Sequence, residues 1–338
     1  MIPGRSGELA GGMEYTQLGR TGLSVGRIVL GTMNFGPRTD ENDSHAIMDA
    51  ALDAGVNLFD TANVYGEAED RGRTEKIIGS WFAEGGGRRD KVVLATKVFG
   101  SMAAPGAEAQ WPNRSRLSAL NIRRSVDESL QRLRTDHIDV YQFHHVDRDT
   151  PWEEIWQAMD VLVQQGKILY VGSSNHAGWH IAQANETARR LGTYGLVSEQ
   201  CLYNLAERRA EMEVIPAARA YGLGVIPWGP LGGGLLGGVI RRAQETGRSA
   251  DALANSAVRD RVQAYEDVVD KYGLAPGEVA LAWLLAQPGI TGPIIGPRTA
   301  GQLESALRAV ELELPEELLA SLEEIFPGPG PAPEAFAW

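Results

Sequence analysis

Cysteine is almost missing. Cys201 is the only one in 338 residues, so no internal disulfide can form. That excludes the disulfide-stapled secreted scaffolds and fits a reducing compartment, so a cytoplasmic location is expected. Long apolar runs are also lacking. None reaches the roughly 18 residues of a membrane span, and no signal-like apolar stretch follows Met1, so no membrane partner is expected. Positive charge is in deficit: 32 Lys and Arg stand against 44 Asp and Glu, a net charge of −12. A generally acidic chain argues against nucleic acid as a partner and for small-molecule work.

What is present is ordinary for a globular protein, 43% hydrophobic and 22% charged, with ample material for a large core. The length alone allows one barrel-type domain or two smaller ones. Residues 1–12 are rich in glycine and read as a flexible tail. Residues 13–326 read as one catalytic domain, and the Pro/Gly-rich residues 327–338 as an extended C-terminal tail.

Between the tails the chain alternates. A hairpin is expected first, around Gly19-Arg20-Thr21-Gly22. Eight short apolar strands then alternate with helices. The strands fall at 28–31, 57–60, 92–96, 138–143, 168–172, 196–200, 224–227 and 292–295. Two long segments without periodicity, 99–116 and 228–255, interrupt the pattern, and loops of that length are usually functional. Strict alternation with no break between halves predicts an α/β fold, a (β/α)8 TIM barrel with an N-terminal β-hairpin and long βα loops.

The chemistry gathers at strand ends. Asn57-Leu58-Phe59 closes on Asp60, and Tyr65 follows on the loop. The next strand ends in Lys97 and the one after it in His144. In a barrel all four lie at the C-terminal face on neighbouring strands, where they can converge. Taken singly, Asp60 and Lys97 would more often be a structural ion pair, and Tyr65 a loop anchor.

With these residues the chain resembles the aldo-keto reductases, from Met13 to about Val310. The resemblance rests on Gly31-Thr32-Met33-Asn34-Phe35-Gly36, Phe59-Asp60-Thr61-Ala62-Asn63-Val64-Tyr65-Gly66, Thr96-Lys97, Tyr141-Gln142-Phe143-His144, Gly172-Ser173-Ser174-Asn175, Gln200-Cys201-Leu202-Tyr203-Asn204, Pro227-Trp228-Gly229-Pro230-Leu231 and Gly296-Pro297-Arg298-Thr299 with Gln302. Each motif is weak, but eight in order are specific. The resemblance implies an NADPH-dependent reductase of aldehydes or ketones. Asp60, Tyr65, Lys97 and His144 would form its catalytic tetrad. A free phenol, pKa about 10, is a poor acid at neutral pH. Lys97 would lower that pKa, Asp60 would hold Lys97 charged, and His144 would polarise the carbonyl.

The resemblance also implies the cofactor contacts. Ser174, Asn175 and Gln200 would hold the nicotinamide carboxamide and Trp228 would stack on the ring. Gly31, Thr32, Met33 and Asp60 would border it. Gly229, Pro230, Leu231, Gly233, Gly234 and Leu236 would offer backbone amides to the pyrophosphate. Gly296, Arg298, Thr299 and Gln302, at the start of the last barrel helix, would suit a ribose 2′-phosphate and so NADPH over NADH. The run Gly232-Gly233-Gly234-Leu235-Leu236-Gly237 fits G-x-G-x-x-G, but no clear βαβ unit opens there, so it reads as a pyrophosphate loop and not a dinucleotide fingerprint.

Two departures stand out. Gly237-Gly238-Val239 lacks the family's lysine, which Arg241 or Arg242 would have to replace. Ser305-Ala306 stands where the family often has Glu-Asn. Phe35, Tyr65, Trp111 and His145 are expected to line the substrate pocket. His176 and His180 have an i, i+4 ligand spacing, but no H-E-x-x-H accompanies them, and no metal is expected. One alternative is a cofactor-binding regulatory subunit like the potassium channel β subunits, which also resemble this family; another is a barrel hydrolase or lyase without redox chemistry, which would leave Trp228 and the Arg298 segment unexplained. The oligomeric state is not readable.

Overall fold

The computed structural model describes residues 12–103, 112–241 and 248–337. The expected tail at residues 1–12 lies almost wholly outside them. The chain begins with a hairpin of β1 (Tyr15–Gln17) and β2 (Ser24–Gly26). Eight parallel strands follow: β3 (Val29–Gly31), β4 (Leu58–Asp60), β5 (Val93–Val98), β6 (Ile138–Phe143), β7 (Ile168–Ser174), β8 (Leu196–Gln200), β9 (Gly224–Val225) and β10 (Ile294–Ile295). They pair in chain order, and β10 pairs back onto β3. Between β9 and β10 the Thr291 amide donates to the Val225 carbonyl at 2.9 Å, and Ile294 to Pro227 at 2.8 Å. Those bonds close the barrel.

Helices fill the outside: α1 (Glu41–Asp53), α2 (Arg73–Ala83), α3 (Arg88–Lys91), α4 (Ala119–Leu133), α5 (Trp152–Gln164), α6 (Gly178–Leu191), α7 (Val214–Tyr221), α8 (Arg248–Leu253), α9 (Ser256–Lys271), α10 (Pro276–Ala286), α11 (Ala300–Arg308), α12 (Glu316–Ile325) and α13 (Glu334–Ala337). Their ends follow local chemistry. Asp40, Ser118 and Thr299 cap α1, α4 and α11 by accepting backbone N–H bonds, and Pro276 opens α10 where its missing N–H costs nothing. Among the described residues no helix is long and apolar enough to cross a membrane.

Two apolar layers result. Large side chains between strands and helices, Trp81, Trp156 and Phe59 among them, form the outer core. Val29, Leu58, Val93, Ala95, Val140, Val197, Ile226 and Ile294 fill the barrel interior, and Leu18 and Val25 of the hairpin join that cluster. The hairpin therefore plugs the N-terminal end of the barrel and leaves the C-terminal end for chemistry.

Some expectations fail locally. Beyond Val310, where no helix was expected, Pro315 precedes α12, whose Leu318 and Leu322 are fully buried. The Pro-rich end is not extended throughout, because α13 forms beyond its last proline. The long 228–255 segment contains α8. An irregularity in β8 matters most. Val171 pairs with Leu196, but Ser173 pairs with Glu199, so one extra residue is absorbed near Val197-Ser198. A bulge of this kind flips the alternation after it. Val197 thus faces the barrel interior, and at the mouth Gln200 faces in while Glu199 faces out.

Candidate active site

Alternation along each strand carries the site. Leu58 lies in the barrel interior, Phe59 in the outer core, and Asp60 at the mouth. Val93 and Ala95 fill the interior below Lys97, and Val140 lies below Gln142. Lys97 is 0% exposed, and its ammonium uses all three of its donors. Its Nζ donates to Asp60 Oδ2 at 2.6 Å, to the Thr61 carbonyl at 2.8 Å and to the Tyr65 hydroxyl at 3.2 Å. The hydroxyl therefore accepts from Lys97 and keeps its own proton to give. Tyr65 is turned back over the mouth by Gly66 at φ 134, where a Cβ would meet the Asp70 carbonyl at 2.2 Å.

Burial raises the Tyr65 pKa above its ordinary value. Lys97 pulls it down as expected and Asp60 pushes it up, but burial outweighs Lys97. The expectation of a net lowering is corrected: the phenol is firmly protonated. Burial alone would lower the Lys97 pKa, yet Asp60 and Tyr65 more than reverse this, so the ammonium stays charged. His144 sits with its ring centroid 5.8 Å from that of Tyr65, edge to face. Burial, then Lys97, then His145 lower its pKa to about 3. It is neutral across the physiological range and can offer an N–H bond without adding charge.

One member went unrecognised in the sequence. Gln142, fully buried, donates to Asp60 Oδ1 at 2.9 Å, and Gln200 donates to the same oxygen at 2.9 Å. The two amides hold the side of the carboxylate that Lys97 does not. Its signal was the period-two pattern of Val140 and Gln142, which puts a polar side chain directly above the apolar interior.

The residues expected at the nicotinamide come together. The Trp228 indole N–H donates to Asn175 Oδ1 at 3.0 Å, and Asn175 Nδ2 donates to Ser174 Oγ at 2.9 Å and to the His144 carbonyl at 3.3 Å. Ser174 Oγ donates to the Gln200 carbonyl at 3.0 Å. Asn175 and Ser174 are thus engaged with neighbours. Gln200 Oε1 accepts no protein bond among the described residues, which leaves an acceptor for an amide. Met33, 50% exposed, stands at the mouth. Gly31 and Thr32 serve the barrel instead: a Cβ on Gly31 would meet Ile294 at 2.5 Å, and the buried Thr32 hydroxyl donates to the Asp60 carbonyl.

In the glycine-rich loop Gly229, Gly232, Gly233 and Gly234 all have positive φ, and space beside Gly234 is open. That is a cradle a side chain would fill. The amides of Gly232, Gly234, Leu235 and Leu236, however, bond to carbonyls of the same loop. Pro230 and Leu231 belong to the same turn. Arg241 pairs with Asp270, so it is not held ready for a pyrophosphate, and Arg242 lies outside the described residues. At the last barrel strand, Asn34 Nδ2 donates to the Gly296 carbonyl at 2.8 Å. Arg298, exposed, precedes α11, its amide donating to Gln302 Oε1 at 2.8 Å while Thr299 caps the helix.

The substrate side is thinner than expected. Phe35 is 0% exposed and sits in the outer core, so it has no surface to give a substrate. The turn closed by its amide on Thr32 folds the ring inward. Trp111 lies outside the described residues. His145 is exposed at the mouth, its ring parallel to that of His144 at 4.9 Å and edge-on to Phe99. His176 and His180 do not form a ligand pair. The His180 Nδ1 accepts from the Ala177 amide, so its Nε2 carries the proton and has no lone pair for a metal.

A family model described as "Aldo/keto reductase family" matches residues 27–326. The chain is 53% identical over 331 residues to the "Uncharacterized oxidoreductase YrpG" of Bacillus subtilis, covering 96% of this chain and all of the relative. It is 33% identical to the "Versiconal hemiacetal acetate reductase" of Aspergillus parasiticus, over 92% of this chain and 96% of that one. It is also 33% identical to a "Probable voltage-gated potassium channel subunit beta" of rice, over 89% of this chain and 92% of that one.

Proposed function

The chain belongs to the aldo/keto reductase family and is an NAD(P)H-dependent oxidoreductase, and we propose that it is an NADPH-dependent reductase of aldehydes or ketones with Tyr65 as general acid. The observation that carries this reading is the Lys97 ammonium, its three donors shared among Asp60, the Thr61 carbonyl and the Tyr65 hydroxyl. A phenol that accepts from a buried cation has one proton, aimed outward, and becomes a better donor as negative charge grows on the oxygen it faces. NADPH, when bound, supplies the hydride. The chain's own residues handle the oxygen: Tyr65 donates its proton, Lys97 stabilises the phenolate left behind, and neutral His144 adds a second donor. Gln142 and Gln200 keep Asp60 fixed, so Lys97 cannot drift. Turnover of an aldehyde and ketone panel, read as NADPH consumption, tests the proposal. Binding of NADPH with no turnover on any member would favour the regulatory-subunit reading that the rice relative's name suggests.

Ser174, Asn175 and Gln200 are the residues we assign to the nicotinamide carboxamide, and Trp228 to its ring. Adding NADPH is then expected to quench tryptophan fluorescence, and Trp228→Ala to lose most of that quench. A quench that survives the substitution puts the ring beside another of the eight tryptophans.

Preference for NADPH over NADH is assigned to Arg298 with the start of α11. A 2′-phosphate accepts charge-assisted bonds worth roughly 1.5–3 kcal/mol, about 10- to 150-fold in affinity. Arg298→Ala is expected to lose that factor for NADPH and to leave NADH nearly unchanged. Equal losses for both cofactors, measured by titration, would mean that Arg298 only supports the loop.

A further inference from the structure

Behind the nicotinamide pocket lies a carboxyl group that the reaction does not use. Glu199 is 0% exposed, and the bulge in β8 turns it away from the barrel axis. It grips the turn after β7 at both ends. Its Oε1 accepts the His176 amide at 3.0 Å, and its Oε2 lies 2.5 Å from Ser173 Oγ. Between those two anchors sit Ser174 and Asn175. Asn175 has φ 59, a left-handed conformation that is costly outside glycine and persists only where neighbours hold it. Its side chain in turn ties the Trp228 indole to the His144 carbonyl.

We propose that Glu199, as the neutral acid, is the positioning residue that fixes the Asn175 turn and through it the seat of the nicotinamide. The proposal rests on the assignment of Asn175 and Trp228 given above.

The hydrogen-bond count argues for the neutral acid. Ser173 Oγ also lies 3.2 Å from the Ser198 carbonyl. A serine has one proton and cannot donate to both Ser198 and Glu199. Both contacts are satisfied when Glu199 donates to Ser173 Oγ and Ser173 donates to the Ser198 carbonyl. The other carboxyl oxygen then accepts the His176 amide. Burial agrees, raising the Glu199 pKa to about 8 against the opposing effects of Ser173 and of the His176 and Asn175 amides.

Among the described residues the surroundings contain no competing switch. On the turn, burial lowers the His176 pKa to about 4. On α6, burial lowers that of His180, with Arg148 acting the same way on both rings. Burial pushes the thiol of Cys201, next along the chain, far up. The strand neighbours Ser173 and Val225 do not titrate. Glu199 is thus the group here that gains charge just above neutrality. Once ionised it has no proton for Ser173, and the chain to Ser198 breaks.

Glutamine copies the neutral acid: its amide donates to Ser173 and its carbonyl accepts from His176. The test is NADPH affinity by calorimetry for the wild type, Glu199→Gln and Glu199→Ala. Glu199→Ala is expected to bind about tenfold or more weakly at neutral pH, and Glu199→Gln to restore most of that loss. From about pH 7 to about pH 9 the wild type should weaken by about threefold or more, while Glu199→Gln stays flat. A Gln variant as weak as the Ala variant, or a wild type as flat as the Gln variant, overturns the proposal.

Two readouts on the free protein separate this from a failure of the cofactor assignment. A folded-state pKa raised above the unfolded one gives stability that is full below the unfolded pKa and drains away up to the folded one. The melting temperature of Glu199→Gln relative to wild type should therefore climb from about pH 4.5 to about pH 8 and then level off. Glu199→Ala should also change the Trp228 emission, read as the difference from Trp228→Phe, because the Asn175 bond is released. If the wild type binds no NADPH, the cofactor reading fails, and these two results still decide the role of Glu199. A pH-independent gap or an unchanged emission contradicts it.

Discussion

Tyr65→Phe is expected to lower carbonyl reduction by about 10²- to 10⁴-fold with NADPH affinity nearly intact. Phenylalanine keeps the ring that lies edge-on to His144 and removes only the hydroxyl that accepts from Lys97. The loss should fall on kcat and on kcat/KM alike, because the missing bond matters as charge develops and not in the ground state. His144 cannot stand in as a charged acid, since its pKa near 3 leaves it neutral wherever the enzyme is assayed. Single-turnover rates and an independent NADPH titration separate the two quantities. Near wild-type turnover would remove Tyr65 from the role of acid.

Lys97→Met should be as damaging to activity and far worse for the fold. Asp60 would remain in the barrel with, among the described residues, the Gln142 and Gln200 amides alone bonded to its carboxylate. Removing one partner of a buried pair costs about 3–5 kcal/mol, because the other charge is left uncompensated. Adding Asp60→Asn is expected to recover most of that stability in denaturant unfolding and none of the activity. Whatever turnover survives in Lys97→Met should keep its phenol protonated to higher pH than the wild type, since the cation that pulls the Tyr65 pKa down is gone. Full stability in the single variant, or rescue of activity in the double, would show that the pair is not coupled as described.

The meeting of Asp60, Tyr65, Lys97 and His144 at one barrel mouth was legible because each stands at, or on the loop after, an apolar strand, and period-two alternation decides which side chain reaches the mouth. The barrel was legible for the same reason. What escaped notice involves geometry that one-dimensional patterns do not encode. The bulge in β8 sits in Leu196-Val197-Ser198-Glu199-Gln200, which contains no glycine or proline to mark it. Both Glu199 and Gln200 are polar, so sequence does not say which one faces in. Phe35 follows a strand as Asp60 and Lys97 close theirs, yet a turn sends its ring into the core. Gln142 stands inside a motif that says nothing of its partner, and only the folded chain brings its amide onto Asp60. The lowered Tyr65 pKa was expected from Lys97 alone, and burial, which no sequence pattern measures, reversed the sign. The α12 helix was missed although its signal, two glutamates after Pro315, was present.

Hydride transfer to a carbonyl is the central claim, and isotope tracing tests it most directly. The protein would be incubated with NADPH carrying deuterium at both nicotinamide C4 positions and with an aromatic aldehyde, and the product mass measured. The account predicts an alcohol with a single deuterium on the former carbonyl carbon, formed by the wild type and largely lost in Tyr65→Phe. Cofactor that binds but leaves every carbonyl in the panel unreduced, or an alcohol formed without the label, would contradict it.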